Sequence, residues 1–226
     1  MKIIKVLILF VAILLCATNA SAQGVKVYKS DGTTINIPYS RLDSIVNVPA
    51  KEFVDMGLSV KWAACNVGAE KPYEYGSYFA WGETIPKPSY AEENYIAYDE
   101  YLGNISGDKN YDAARAAWGD MARIPTNEEI NELCEKCKWE RVSYRGVEGM
   151  LVMGPSGKCI FIPAAGFMIG SSVFGEGTDG YYWSSTPIDV LDDKMNACYL
   201  DFDNSFYYWG NWIRRYLGQT IRPVSD

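Results

Sequence analysis

Apolar and polar residues change rhythm several times along the chain. Lys2 and Lys5 precede an unbroken apolar run from Val6 to Leu15, and Ala20-Ser21-Ala22 follows with a small-x-small spacing. That order predicts a secretory leader, residues 1–22, cleaved after Ala22. Its apolar run is too short for a stable membrane-spanning helix. An alternative places a lipid on Cys16, directly after the run, although Leu15 is larger than the residue a lipoprotein signal carries there. Residues 23–49 then alternate. Val25-Lys-Val-Tyr-Lys29 and Thr33-Thr-Ile-Asn-Ile37 flank Ser30-Asp31-Gly32, which predicts a hairpin around an Asp-Gly turn. Leu42 to Val48 adds a third short strand before Pro49. Three such strands bury little and must pack on something else. Pro49-Ala50-Lys51 reads as a linker into the main domain, residues 50–226.

The main domain opens with Leu58, Val60 and Trp62 on one face of a strand and Ser59 and Lys61 on the other. From Gly68 to Gly107 no period is sustained, yet the stretch is too aromatic for disorder and reads as ordered irregular loop. Tyr111 to Trp118, with four alanines before Gly119, predicts a short helix. Thr126 and Glu129 form a capping box for a second helix, whose apolar face carries Ile130, Leu133, Cys134 and Cys137. Glu128, Glu129, Glu132 and Glu135 fit its solvated face better than a catalytic cluster. Strands follow: Met150–Met153 and Cys159–Ile162 around Gly154-Pro155-Ser156-Gly157, then Tyr181–Thr186, Ala197–Asp203 and Gln219–Val224. Helices segregated from antiparallel strands make the fold class α+β.

Composition narrows the chemistry. There is no histidine, which removes Ser-His-Asp and Cys-His nucleophiles, the HExxH zinc site and histidine proton shuttles. Lys and Arg number 21 against 28 Asp and Glu, a net −7, and loss of the leader with its two lysines takes this to −9. A partner with a phosphate backbone is therefore not expected. Beyond the leader Cys65, Cys134, Cys137, Cys159 and Cys198 remain, so at most two disulfides can form. Cys134-x-x-Cys137 lacks the second pair of a zinc ribbon and falls at the wrong end of its helix for a thioredoxin-like site, leaving buried apolar thiols, or one of them paired with a distant cysteine, as the simpler reading. Gly175-Glu-Gly177-Thr-Asp-Gly180 matches G-x-G-x-x-G but runs into a strand, where a dinucleotide site needs a helix N-terminus. Asp189, Asp192 and Asp193 lack the spacing of a known calcium loop and read as a solvated turn. No metal or cofactor is expected.

The aromatic surplus, 17 Tyr, 8 Phe and 7 Trp, is the unusual feature. It is dense from Tyr199 to Tyr216, where Cys198, Leu200 and Phe202 form the core side of a strand and Tyr199, Asp201 and Asp203 the other side. The mixture of Tyr, Trp, Asn and Arg suits a recognition surface. The candidate ligand-binding residues are Tyr199, Asp201, Asp203, Asn204, Phe206, Tyr207, Tyr208, Trp209, Asn211, Trp212, Arg214 and Arg215. The competing account makes some of these rings, Phe206, Trp209 and Trp212 among them, core plugs of a loop region.

Six motifs in order carry a resemblance: Phe53-Val-Asp-Met-Gly-Leu58, Lys61-Trp62-Ala-Ala-Cys65-Asn-Val-Gly68, Glu74-Tyr-Gly-Ser-Tyr-Phe-Ala-Trp81-Gly-Glu83, Ala122-Arg-Ile-Pro-Thr126, Gly180-Tyr-Tyr-Trp-Ser-Ser185 and Ile221-Arg-Pro-Val224. Together they resemble the Fibrobacter succinogenes major paralogous domain family, which is similar to the formylglycine-generating-enzyme branch of the C-type lectin fold. Over residues 50–226 the resemblance implies a C-type lectin-like fold: two helices, a twisted antiparallel sheet, long loops, and first and last strands brought close together. It also implies a variable binding segment before the final strand, where Tyr199–Tyr216 falls. No activity comes with it. Cys198 lacks the nearby second cysteine of the formylglycine-generating enzymes, the histidines of the iron-binding sulfoxide synthases are missing, and so are the Glu-Pro-Asn, Gln-Pro-Asp and Trp-Asn-Asp motifs of calcium-dependent lectins. The expectation is a secreted, periplasmic or cell-surface binding module of a bacterium with a protein or glycan ligand, no nucleic acid and no membrane span. The alternatives are an oxidative enzyme using the Cys198 thiol with copper, and a structural envelope protein in which residues 24–48 pair with another chain.

Overall fold

The computed structural model describes residues 25–28, 34–37, 49–98, 100–188, 194–203 and 207–226, with backbone alone at 25–28, 34–37 and 207–211. The chain divides into two units, Met1–Asn47 and Val48–Asp226. In the first, β1 (Val25–Tyr28) pairs antiparallel with β2 (Thr34–Ile37), Val25 opposite Ile37 and Tyr28 opposite Thr34. The expected leader, Cys16, the Asp-Gly turn and the third strand lie outside the described residues.

In the second unit β3 (Phe53–Val54) pairs with β4 (Lys61–Ala63). The strand expected over Leu58–Trp62 is thus shorter and later, although Val60 and Trp62 are buried and Ser59 and Lys61 exposed, as the alternation predicts. The long irregular stretch follows, relieved among described residues by a 3-10 turn at Glu92–Asn94. Helix α1 (Ala113–Trp118) begins at Asp112. Its buried carboxylate accepts from the amides of Gly107 at 2.7 Å, Arg115 at 2.9 Å and Ile124 at 2.9 Å, tying the helix start to two loops. Helix α2 (Asn127–Lys136) carries the expected capping box, and the Glu129 carboxylate also clamps the Arg123 guanidinium at 2.6 and 2.8 Å. Ile130, Leu133 and Cys134 turn inward.

β5 (Lys138–Tyr144), β6 (Val147–Met153) and β7 (Cys159–Pro163) form an antiparallel meander. β5 is not foreseen in the sequence, since Lys138, Glu140 and Arg141 dilute its apolar positions. β8 (Phe167–Ile169) and β9 (Ser172–Phe174) form a hairpin, also unforeseen. β10 (Gly180–Pro187), β11 (Asn196–Phe202) and β12 (Tyr207–Arg214) make a second three-stranded antiparallel sheet, with β11 in the middle. Finally β13 (Val224–Ser225) pairs with β4, so strands from both ends of the unit share a sheet. Among the described residues, small antiparallel sheets with two α-helices give an α+β fold.

β10 and β11 are buried on both faces. Tyr182, Leu200 and Phe202 join a core with Trp62, Met150, Ile162 and the apolar side of α2, while Trp183, Ala197 and Tyr199 join another with Phe79, Trp81, Ile105 and α1. Gly180 allows this closeness: a Cβ there would come within 2.2 Å of the Phe202 ring.

The segment expected as one strand over Gln219–Val224 instead changes partners nearly residue by residue. Gly218 bridges Met168, Gln219 bridges Phe79, Thr220 runs parallel to Tyr182, and Val224 meets both Trp62 and Arg123. The carbonyls of Ile221 and Pro223 accept from Val67 at 3.0 Å and Ala63 at 2.9 Å. Arg222 lies fully inside. Its Nη1 donates to the carbonyls of Ala63, at 3.1 Å, and Ala64, and Nη2 to that of Phe161 at 2.9 Å, so one guanidinium joins the end of β4 to β7. A planar fork with fixed donors suits this three-carbonyl task, and an ammonium does not. Arg222→Lys should therefore lower unfolding stability by about 3 kcal/mol in urea titration, while Lys61→Ala on the exposed side of β4 changes it little. Equal midpoints for the two variants would remove Arg222 as a cross-sheet tie.

Candidate functional site

Register decides how the aromatic segment is displayed. In β12, Asn211 pairs with Tyr199 and Tyr208 with Asp201, whereas Trp212 pairs with Cys198, Tyr207 with Phe202 and Arg214 with Asn196. Directly paired residues share a sheet face and neighbours alternate. The candidate residues consequently split between two faces. Asn204 and Phe206 lie outside the described residues, as do the side chains of Tyr207, Tyr208, Trp209 and Asn211.

Two candidates are interior groups. Tyr199 is buried, stacked on Tyr181 at 5.7 Å and edge-on to Trp183 at 6.5 Å. Burial raises its phenol pKa, and the Asp201 carboxylate adds to the shift through charge and a hydrogen bond. The side of β11 expected to be polar is thus core at Tyr199 and opens toward solvent only through Asp201 to Asp203. Arg215 is likewise enclosed. Its guanidinium carbon lies 4.2 Å from the Trp81 ring centroid, Nε donates to the Asn196 carbonyl at 3.1 Å and Nη1 to that of Glu100 at 3.1 Å. It anchors the irregular loop and offers no surface charge. By contrast Trp212, 60% exposed, and Arg214 face outward.

The structure adds residues that sequence reasoning did not single out. Phe167 of β8 lies 5.9 Å from Phe174 of β9 and 4.7 Å from Tyr181 of β10, and Tyr181 stacks on Tyr199. These rings form a row that starts at a 49% exposed Phe174 and runs into the core. Ile169 and Val173 on the same hairpin are exposed as well. Carboxylates border the row: burial and then the charges of Asp179, Asp201 and Asp203 push the Tyr181 phenol upward. A hairpin with an apolar, solvent-facing side was legible at Phe167-Met-Ile and Ser172-Val-Phe, since Gly170 between them marks a turn. Its alignment with β10 was not.

Comparison with protein-family models, with curated proteins and with solved structures gives no match. The chemistry therefore rests on the groups themselves.

Gly175, Gly177 and Gly180 lead into β10, so no helix N-terminus stands behind the glycine pattern. Among the described residues no three His, Cys, Asp or Glu side chains gather as a metal site would require, and Asp189, Asp192 and Asp193 lie outside them. No disulfide joins the five described cysteines. Cys65, Cys134, Cys137 and Cys198 are buried, and burial pushes the thiols of Cys137 and Cys198 up to about 11, with Cys134 higher still. Cys137 caps the C-terminal end of α2, where the helix dipole opposes a thiolate. At pH 8 a thiol-specific disulfide reagent should modify the half-buried Cys159 first, and the other four only after denaturant is added. Rapid modification of Cys198 in the native chain would restore it as a nucleophile candidate.

Proposed function

We propose that this chain is an exported, non-enzymatic binding module with a C-type lectin-like fold, and that its ligand, a protein or a glycan, docks on the surface where the β8–β9 hairpin meets β10 and β11. The observation that carries the reading is the ring row Phe174, Phe167 and Tyr181, bordered by Asp179, Asp201 and Asp203. Partly exposed rings supply rigid contact area, and neighbouring carboxylates accept hydrogen bonds that set orientation. Pairing of β4 with β13 and the long loops support the lectin-like architecture. The raised thiol pKa of Cys198 weighs against the copper-dependent oxidative alternative. A structural envelope role through residues 24–48 is the remaining competitor, and β1 with β2 would then be the interacting element.

A glycan and surface-protein array probed with the purified chain should give at least one ligand. Phe174→Ala combined with Asp203→Asn, both at exposed positions, should weaken it about tenfold or more without changing the far-ultraviolet dichroism. Trp212→Ala reports on the opposite face and should retain binding. Loss in the Trp212 variant alone would transfer recognition to that face, and full binding by both variants would remove the β10–β11 surface from the reading.

Export has its own readout. Mass spectrometry of the secreted protein should find Gln23 at the N-terminus, and a lipid-modified Cys16 would establish the anchored alternative instead.

A further inference from the structure

The irregular stretch between Glu83 and Tyr101 holds an open pocket of about 610 Å³ lined, among the described residues, by Glu92, Glu93, Tyr95 and Tyr98. Its walls combine two kinds of surface. Glu92 and Glu93, both exposed, form the 3-10 turn, and neither makes an ion pair with a described cation. Tyr95 is buried and its hydroxyl donates to the Trp81 carbonyl at 2.8 Å, which fixes the ring, while Tyr98 is 54% exposed. Ile96, between them in the chain, is 72% exposed.

The described part of this lining favours one kind of ligand. An anion would meet two carboxylates. A neutral apolar molecule would make no use of the two carboxylates. A hard metal ion wants six or more oxygens and gains nothing from the rings. What remains is a cation with an apolar body, for which aromatic faces and carboxylates are both favourable.

The chain already solves that problem once, beside the cavity. The Lys87 ammonium lies 5.5 Å from the Tyr90 ring centroid, 2.8 Å from Glu83 Oε1 and 2.9 Å from the carbonyl of Asn94, the last residue of the same 3-10 turn. Ring, carboxylate and carbonyl together hold an ammonium. Glu83 is used up in this arrangement, also accepting from the Ile96 amide at 3.1 Å, which leaves Glu92 and Glu93 for an incoming charge. The net −7 of the chain raises the local concentration of any cation.

We propose that the Glu92/Glu93/Tyr95/Tyr98 cavity binds an alkylammonium group, either of a small quaternary amine or of a lysine side chain on a partner protein. The site is separate from the β10–β11 surface and does not depend on it.

The test uses the purified chain and nuclear magnetic resonance titration. Choline, its uncharged isostere 3,3-dimethylbutan-1-ol, and a tetralysine peptide are added in turn, following the backbone amides of Ile96 and Tyr98. Choline should bind with a millimolar-range Kd that weakens with added salt, and the isostere about tenfold more weakly. Glu92→Gln with Glu93→Gln, at exposed positions that leave the fold intact, should bring choline down to the isostere, and Tyr98→Leu should weaken it several-fold. Response to the peptide without choline would assign the ammonium to a protein partner; response to choline assigns it to a small amine. Equal binding of choline and isostere, no response to either cation, or unchanged affinity in the double Gln variant would overturn the proposal.

Discussion

The second unit depends on carrying one polar segment, Leu217 to Val224, through its interior. Every residue from Leu217 to Val224 whose exposure bears on the core is buried or walled in, including Gln219, Thr220 and Arg222. Buried amides and carbonyls must find partners, and no one strand could supply them here because the segment crosses the ends of several small sheets. The solution is a sequence of single bridges to Met168, Phe79, Tyr182 and Trp62. Arg222 completes it by satisfying carbonyls of Ala63, Ala64 and Phe161 with one side chain. Backbone alone therefore does not connect the β5–β7 meander to the β3–β4 strands; a buried guanidinium does part of that work.

Aromatic side chains play the matching role for the loops. The stretch from Gly68 to Gly107 has almost no regular structure, so its order comes from rings whose polar tips reach backbone. Trp81 donates to Ser184, Trp183 to Phe79, Tyr95 to Trp81, Tyr78 to Ala165 and Tyr90 to Tyr78. Each ring packs an apolar face inward and finishes with its polar tip on a backbone carbonyl. Much of the aromatic surplus is consequently architectural. Among the described residues, the rings that reach solvent and are left for recognition include Phe174, Tyr98, Tyr101 and Trp212, with Tyr181 in part.

That division explains why the candidate surface was only partly legible. Alternation in Cys198–Asp203 marks the core side of β11 correctly, and Leu200 and Phe202 are buried as the pattern requires. The other side misleads at Tyr199, because period-two patterning says that two faces differ and does not say that one of them is wet. β11 is a central strand with a second core packed on it, so Tyr199 is enclosed. Arg215 gave no local sign of burial either, since its partners Trp81, Glu100 and Asn196 are distant in the chain. Phe167 and Phe174 become neighbours of Tyr181 only through tertiary packing.

Local signals decided the elements whose causes are local. Thr126 with Glu129 starts α2, Gly119 at φ 79° stops α1, and Gly154 to Gly157 turn β6 into β7. The absence of histidine and the acidic balance likewise belong to composition and limit the chemistry whatever the fold. Tertiary structure decided the rest: which face of a strand meets water, and which ring is a staple and which is a platform. Those outcomes depend on partners tens of residues away, and a helix cap or an alternating run reports only on the few residues that share its turn or its strand.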